Sequence, residues 1–350
     1  MAAVALAGGL CSGACAGQVK LEASLASPFM VADKKQTTYL KVGLTGFEMK
    51  DRETRPRINV AIVIDRSGSM EGEKIRRARE AAWSAVERLA DNDIVSIVAY
   101  NHNVSVLVPA TKVSDRRAIR EGIDRLTADG TTALFAGVSK GAEEVRKFMD
   151  RRQVNRIVLV SDGLANVGPS SPGELGELGM SLIKEGISVT TIGLGTGYNE
   201  DLMAQLARRS DGNHAFVEDS KDLARIFNCE FGDVLSVVAQ EVVIRIDCAD
   251  GVRPVRVMGR EADISGRHVR TVLNQLYSNQ DKYILLEVEV PAGRAETARD
   301  VAAVNVSYAN MATKTTDELT SRVGVRFTES ESKVTRSTSG MSGVSKASTA

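Results

Sequence analysis

The sequence predicts an α/β fold, a doubly wound and mostly parallel sheet, inserted into a discontinuous all-β sandwich. Three observations carry this. Between 57 and about 235, apolar runs alternate with stretches of helical periodicity, the pattern of successive βα units in a parallel sheet. Beyond about 236, strand runs such as Val242-Val243-Ile244-Arg245-Ile246 and 283–290 follow one another with little helical periodicity, as in an all-β module. Residues 18–50 also read as strands, notably 37–44, and are too few to bury a core alone. They are therefore expected to pair with the C-terminal strands.

Within the α/β segment, 58–64 reads as a buried strand. Ile75, Ala78, Ala82, Val86 and Leu89 then recur at spacings of three and four, giving a helix with one apolar face; Trp83 falls in with that stripe. A strand at 94–100 follows, with an alternating edge partner at 104–108 and helices at 115–126 and 134–149. The remaining pattern is strand 155–160, helix 173–185, strand 187–194, helix 199–209, strand 214–217 and helix 220–235. The expected organisation is an N-terminal β segment at 18–55, an α/β domain at 57–235 and a β-sandwich at 236–328. The Ser/Thr/Lys/Gly-rich stretch 329–350 is expected to be disordered.

Composition narrows the functional classes. The chain has 350 residues, 43% of them hydrophobic, with Lys+Arg and Asp+Glu both at 45. Such a chain has enough apolar material for real cores, and its balanced charge gives no reason to expect a nucleic-acid partner or an anionic membrane surface. Residues 2–16 carry no charge and end in Ala14-Cys15-Ala16, resembling the apolar core and small-residue cleavage site of an export signal. The positive start of such a signal is absent. The signal, read as 1–16, implies a periplasmic or extracellular protein. No later stretch has 18 consecutive apolar residues, so no membrane span is expected. Cleavage after Ala16 would leave Cys229 and Cys248, either bridged in an oxidising compartment or separate free thiols.

The chemistry-bearing motif is Asp65-Arg66-Ser67-Gly68-Ser69-Met70, directly after the strand at 58–64. This puts one carboxylate and two hydroxyls at the carboxyl end of a buried parallel strand, where α/β sheets bind ligands. Asp-x-Ser-x-Ser alone is a weak signal. Two further oxygen donors fall where neighbouring loops could deliver them: Thr132 in Asp129-Gly130-Thr131-Thr132-Ala133-Leu134, with Thr131 the competing choice, and Asp162 in Val160-Ser161-Asp162-Gly163. Hard oxygen donors with few carboxylates suit Mg²⁺, which demands near-octahedral geometry and keeps open or water-filled positions.

Residues 57 to about 235 resemble a von Willebrand factor A domain, and the constellation resembles its metal-ion-dependent adhesion site. The five positions of that site fall on Asp65, Ser67, Ser69, Thr132 and Asp162. The resemblance implies Mg²⁺, or Mn²⁺ or Ca²⁺, bound directly by Ser67 and Ser69, and by Thr132 directly or through water. Asp65 and Asp162 would act largely through water or by hydrogen bonds to the ligands. It also implies an open metal position for an Asp or Glu of a protein partner, and switching by movement of the helix near 220–235. The flanking β segments, with Leu273-Asn274-Gln275-Leu276-Tyr277-Ser278 and Lys282-Tyr283-Ile284-Leu285-Leu286-Glu287, resemble bacterial secreted proteins related to the calcium-activated chloride channel-like group. Channel activity is not implied.

Other residues read as structural. His102, His214 and His268 are scattered without zinc-site spacing. Gly193-Leu194-Gly195-Thr196-Gly197 lacks the lysine of a phosphate loop and reads as a tight turn. Ser67 and Ser69 have no nucleophile elbow, so no enzyme is expected. The basic run Lys74-Ile75-Arg76-Arg77-Ala78-Arg79 reads as a solvated helix face. The leading expectation is therefore metal-bridged adhesion or scaffolding. The alternative is an accessory subunit that recruits a chelatase or AAA-type ATPase through the same domain.

Overall fold

Residues 17–49, 55–163 and 165–338 are described in the structure, a computed structural model. The expected export signal at 1–16 and the end of the tail, 339–350, lie outside them. The described chain opens with β1 (Lys20–Leu25), β2 (Phe29–Val31) and β3 (Gln36–Thr45). The α/β segment contributes β4 (Arg57–Asp65), α1 (Glu73–Arg88), β5 (Ile94–Tyr100), β6 (Val104–Lys112), α2 (Arg116–Asp124) and α3 (Leu134–Arg146). It continues through β7 (Gln153–Ser161), α4 (Pro172–Lys184), β8 (Ile187–Leu194), α5 (Glu200–Arg209), β9 (His214–Val217) and α6 (Leu223–Leu235). The remaining strands are β10 (Val237–Cys248), β11 (Arg253–Met258), β12 (Asp263–Ser265), β13 (His268–Tyr277), β14 (Asp281–Val290), β15 (Ala298–Asn310) and β16 (Thr316–Thr328), and α7 (Glu331–Thr338) ends the described chain.

Two units emerge, one from the segments up to 50, 242–272 and 278 onward, the other from 51–241 with 273–277. The α/β unit is built on a six-stranded sheet of order β6-β5-β4-β7-β8-β9. All neighbours are parallel except the edge strand β6, which runs antiparallel to β5. Every residue of β5 and β8 is buried, as is every residue of β4 after Arg57, which is why these strands read as continuous apolar runs rather than alternating ones. α1 turns Ile75, Ala78, Ala81, Ala82, Ala85 and Val86 inward. α4 starts at a reciprocal cap between Ser171 and Glu174 with Pro172 in its first turn, a pairing that satisfies otherwise unpartnered amides.

The β unit holds two antiparallel-rich sheets, β1-β3-β14-β11 and β12-β13-β10-β15-β16-β2. The N-terminal strands do pair with C-terminal ones: β3 lies antiparallel to β14 over ten residue pairs from Thr45↔Asp281 to Gln36↔Val290, and β2 runs parallel to β16. Leu40, Val42 and Leu44 of β3 are buried with Ile284, Leu286, Val288 and Val290 of β14, the alternation of strands with one face in a core.

The structure corrects several expectations. Part of the supposedly disordered tail is helical: α7 is held by Lys333 Nζ 4.5 Å from the centre of the Phe29 ring and by a Ser27–Ser337 hydroxyl contact of 2.7 Å. α3 stops at Arg146, leaving Phe148 and Met149 exposed in the turn beyond it. The helix expected from 220 begins as a 3-10 turn at Ser220–Asp222 before α6. Trp83 is only half-buried, with the Arg120 guanidinium 4.7 Å from its ring centre. Cys229, exposed, and Cys248, buried, are both free thiols. Among the described residues no helix is long and apolar enough to cross a membrane.

Candidate metal centre

β5 and β6 lie to one side of β4, while β7, β8 and β9 lie to the other. The strand order therefore reverses at β4, and a crevice opens beyond the carboxyl ends of β4 and β7, the place where open α/β sheets bind ligands. Asp65 is the last residue of β4, and Asp162 follows the last residue of β7. Between Asp65 and α1 the chain makes a short 3-10 turn, Gly68–Met70. This turn sets the Ser67 and Ser69 hydroxyls side by side, Oγ to Oγ 3.1 Å.

Backbone bonds tie the neighbouring loops to that turn. Arg66 N–H donates to the Tyr100 carbonyl (2.8 Å), Asp129 N–H to the Arg66 carbonyl (2.7 Å), and Gly68 N–H to the Gly130 carbonyl (2.9 Å). Buried Asn101 fastens the loop from below, its Nδ2 donating to the Asp129 carbonyl (2.7 Å) and its own carbonyl accepting from Ala133 N–H (2.8 Å). Gly130 has φ +78°, and a Cβ there would run into the His102 ring, so the close passage of this loop requires glycine. Thr132 is clamped by Asn166, whose Oδ1 accepts from Thr132 N–H (2.9 Å) and whose N–H donates to the Thr132 carbonyl (3.1 Å).

The two carboxylates are held differently. Asp65 is fully buried; its Oδ1 accepts from Ser67 N–H (2.8 Å) and its Oδ2 from Ser161 Oγ (2.6 Å). Burial pushes its carboxyl above the usual range, hydrogen bonds from Ser161 and Ser67 oppose this, and the Asp162 charge adds to the rise. Asp162 accepts from Ser69 Oγ on Oδ1 (2.7 Å) and from the Lys74 ammonium on Oδ2. Lys74 Nζ also donates to the Ser69 carbonyl (3.2 Å). A cavity of about 690 Å³ opens over this group, lined by Ser69, Lys74, Thr132, Asp162, Asn166 and Glu218, with Gly163 and the 195–197 turn completing it.

A family model for the von Willebrand factor type A domain matches residues 59–228. Residues 59–228 are a von Willebrand factor type A domain. Over 93% of its length the chain is also similar in fold to a von Willebrand factor type A protein from Catenulispora acidiphila, with a TM-score of 0.75 at 18% identity, covering 77% of that chain. In sequence it is 29% identical over 215 residues to the uncharacterized protein YfbK of Escherichia coli, covering 61% of this chain and 37% of that protein. It is 26% identical over 248 residues to the uncharacterized protein sll0103 of Synechocystis, covering 68% and 58%. The matches thus span less than two thirds of either relative's own length.

The donor set of this von Willebrand factor A domain suits a hard divalent cation. Oxygens adjacent in an octahedron around Mg²⁺, each about 2.1 Å from it, lie about 3 Å apart, and the two serine hydroxyls are spaced at 3.1 Å. Gly163 leaves a notch beside them: a Cβ there would lie 3.0 Å from Thr132 Oγ1 and 3.4 Å from Asp65 Oδ2, so both oxygens border the space that glycine leaves open. Among the described residues no cluster of three His, Cys, Asp or Glu side chains could hold a metal. A cation in this domain would therefore depend on hydroxyls, which suits Mg²⁺ and its small demand for carboxylates.

All five residues singled out in the sequence gather at this one end of the sheet, and Ser69 is exposed there. Several neighbours escaped the sequence reading. Lys74, grouped with a solvated basic face, lies in the first turn of α1 and reaches Asp162. Its position nine residues after Asp65, in the helix that the motif turn leads into, was the available signal. The turn at 195–197, read only as a tight connection, and Glu218 line the same cavity. Asn166 carried no sequence signal, because it acts through loop backbone. His102 is exposed.

Proposed function

We propose that this protein is a divalent-metal-dependent binding protein, acting in adhesion or scaffolding, whose domain engages an acidic side chain of a protein partner. The observation that carries this is the hydrogen-bonded chain Ser67–Ser69–Asp162 beside Asp65 and Thr132, gathered from three loops at the switch point of the sheet and opening onto a cavity. In this reading Ser67, Ser69 and Thr132 supply neutral oxygens to Mg²⁺, or to Mn²⁺ or Ca²⁺. Asp65 orients the motif turn through Ser67 N–H, and Asp162 orients Ser69. Two carboxylates leave a dication with little net excess charge, and a coordination position facing the cavity accepts the partner's Asp or Glu. No covalent step is involved. The charge-free stretch 2–16 supports export.

The test has two arms. Titration of the full chain with Mg²⁺ or Mn²⁺ is expected to give saturable binding that Asp65→Ala abolishes. Immobilised wild-type chain should retain a partner from the envelope fraction of its cell in Mg²⁺ and release it in chelator, whereas Asp65→Ala should retain none. Partner retention that survives both chelation and Asp65→Ala would overturn the reading. Metal-dependent retention of an ATPase from the cytosol instead would favour the accessory-subunit alternative.

A further inference from the structure

We propose that Lys74 is a tethered cation that occupies the divalent-metal position at Asp162, so that metal enters only by displacing its ammonium. This rests on the reading of Asp65, Ser67, Ser69, Thr132 and Asp162 as a metal centre. The Asp162 side chain is entirely covered, and its Oδ2, the oxygen not engaged by Ser69, is the atom that Lys74 binds. A buried carboxylate without a counter-charge is strongly disfavoured, and Asp65 lies close enough for the two like charges to act on one another. Lys74 supplies the missing charge while no metal does.

The same lysine is built to leave. Its side chain is 36% exposed and lines the cavity, so its ammonium can be rehydrated without unfolding anything. It sits in the first turn of α1, a helix whose start has no side-chain cap, and the positive end of a helix disfavours a cation there. The ammonium is a single charge with flexible reach, whereas a dication would draw on both carboxylates and the hydroxyls together. The exchange needs no proton: the Lys74–Asp162 ion pair opens as the charge of the dication replaces that of the ammonium beside the two carboxylates, and the ammonium passes to water. Lys74 thereby sets a threshold concentration of divalent metal below which the site stays closed and its carboxylates stay compensated.

The experiment compares full-length wild type with Lys74→Met and Lys74→Arg by calorimetric titration with Mn²⁺ and Mg²⁺, and by thermal melting in chelator. A charge-assisted hydrogen bond must be broken only in wild type, so Lys74→Met is expected to bind metal tighter by about tenfold or more. Its melting temperature in chelator should be below that of wild type, with the deficit removed by saturating metal. Lys74→Arg keeps the charge and should bind no tighter than wild type. If wild type binds metal and Lys74→Met binds it equally or more weakly, the lysine is no competitor, and this inference alone falls. If neither binds, the metal centre itself falls and takes this inference with it.

Discussion

Asp65→Asn separates a metal ligand set from a structural carboxylate, because the two roles give opposite signs. Asp65 is wholly buried, and burial disfavours its charged form. Asn keeps the shape: Oδ1 can still accept from Ser67 N–H, and Nδ2 can donate to Ser161 Oγ once that hydroxyl rotates to accept. The substitution also removes one of two neighbouring negative charges. In chelator the variant should therefore be at least as stable as wild type. With metal the order inverts. A ligand at about one hundred times its dissociation constant stabilises the folded state by about 2.7 kcal/mol, which for a domain of this size corresponds to roughly 5–10 °C in melting temperature. Wild type should gain that increment and Asp65→Asn little of it. The assay is thermal unfolding followed by circular dichroism at pH 8, with chelator and with saturating Mg²⁺. A variant clearly less stable than wild type in chelator would make Asp65 a structural residue, and one that keeps the full metal-induced rise would remove it from the metal centre.

Asp93→Ala should destabilise the α/β unit by about 3–5 kcal/mol, measured by denaturant unfolding, because it strands the Arg55 guanidinium and the Ile58 and Ala90 N–H groups that Asp93 accepts from; a loss below about 1 kcal/mol would show that water replaces the carboxylate. Cys248 is buried with its thiol pushed up to about 11, chiefly by desolvation, whereas Cys229 is exposed. Peptide mapping after brief alkylation at pH 7.5 should therefore find Cys229 modified and Cys248 modified only after denaturation. His214 sits between the Thr191 and Tyr198 hydroxyls, and burial holds its imidazole below the usual value. The unfolded chain then takes up more protons than the folded one as pH falls through about 6.5, so stability present above that pH is lost below it. Wild type should lose more melting temperature between pH 7.5 and 5.5 than His214→Gln does; an equal loss would exclude His214 as the source.

The α/β sheet was legible because burial on both faces forces continuous apolar runs, and βα alternation leaves few other arrangements for them. The pairing of residues 18–50 with the C-terminal strands followed from a shortage: those strands could not bury themselves alone. What the sequence hid were elements made by tertiary contact. α7 has almost no apolar face, yet it is ordered against Phe29 and Ser27. β12 is exposed at all three positions and exists only as the edge partner of β13. In the candidate site, Asp65, Ser67, Ser69, Thr132 and Asp162 were readable because each is an oxygen donor at a strand end or a glycine-flanked turn. Lys74 was harder to read: its place nine residues after Asp65 was a signal, but helical periodicity puts it only at the margin of the apolar stripe, four residues before Ala78, and says nothing of what lies above the first turn of the helix.

The two ends of β4 differ in a way that favours the proposed metal centre over another buried polar cluster at its carboxyl end. At its start, Asp93 is a buried carboxylate with permanent compensation: Arg55 donates through both terminal nitrogens, and two backbone N–H groups complete the set. That arrangement is closed, and its removal leaves buried groups without partners. At the other end, two buried carboxylates share hydroxyls, one backbone N–H and a single lysine that remains partly exposed. A cluster serving stability alone would gain from a second fixed cation or from apolar replacements of similar volume. On the proposed reading, leaving the negative charge to be met by one partly exposed ammonium would keep the site able to exchange its counter-ion, which a cation-mediated contact with an outside carboxylate requires.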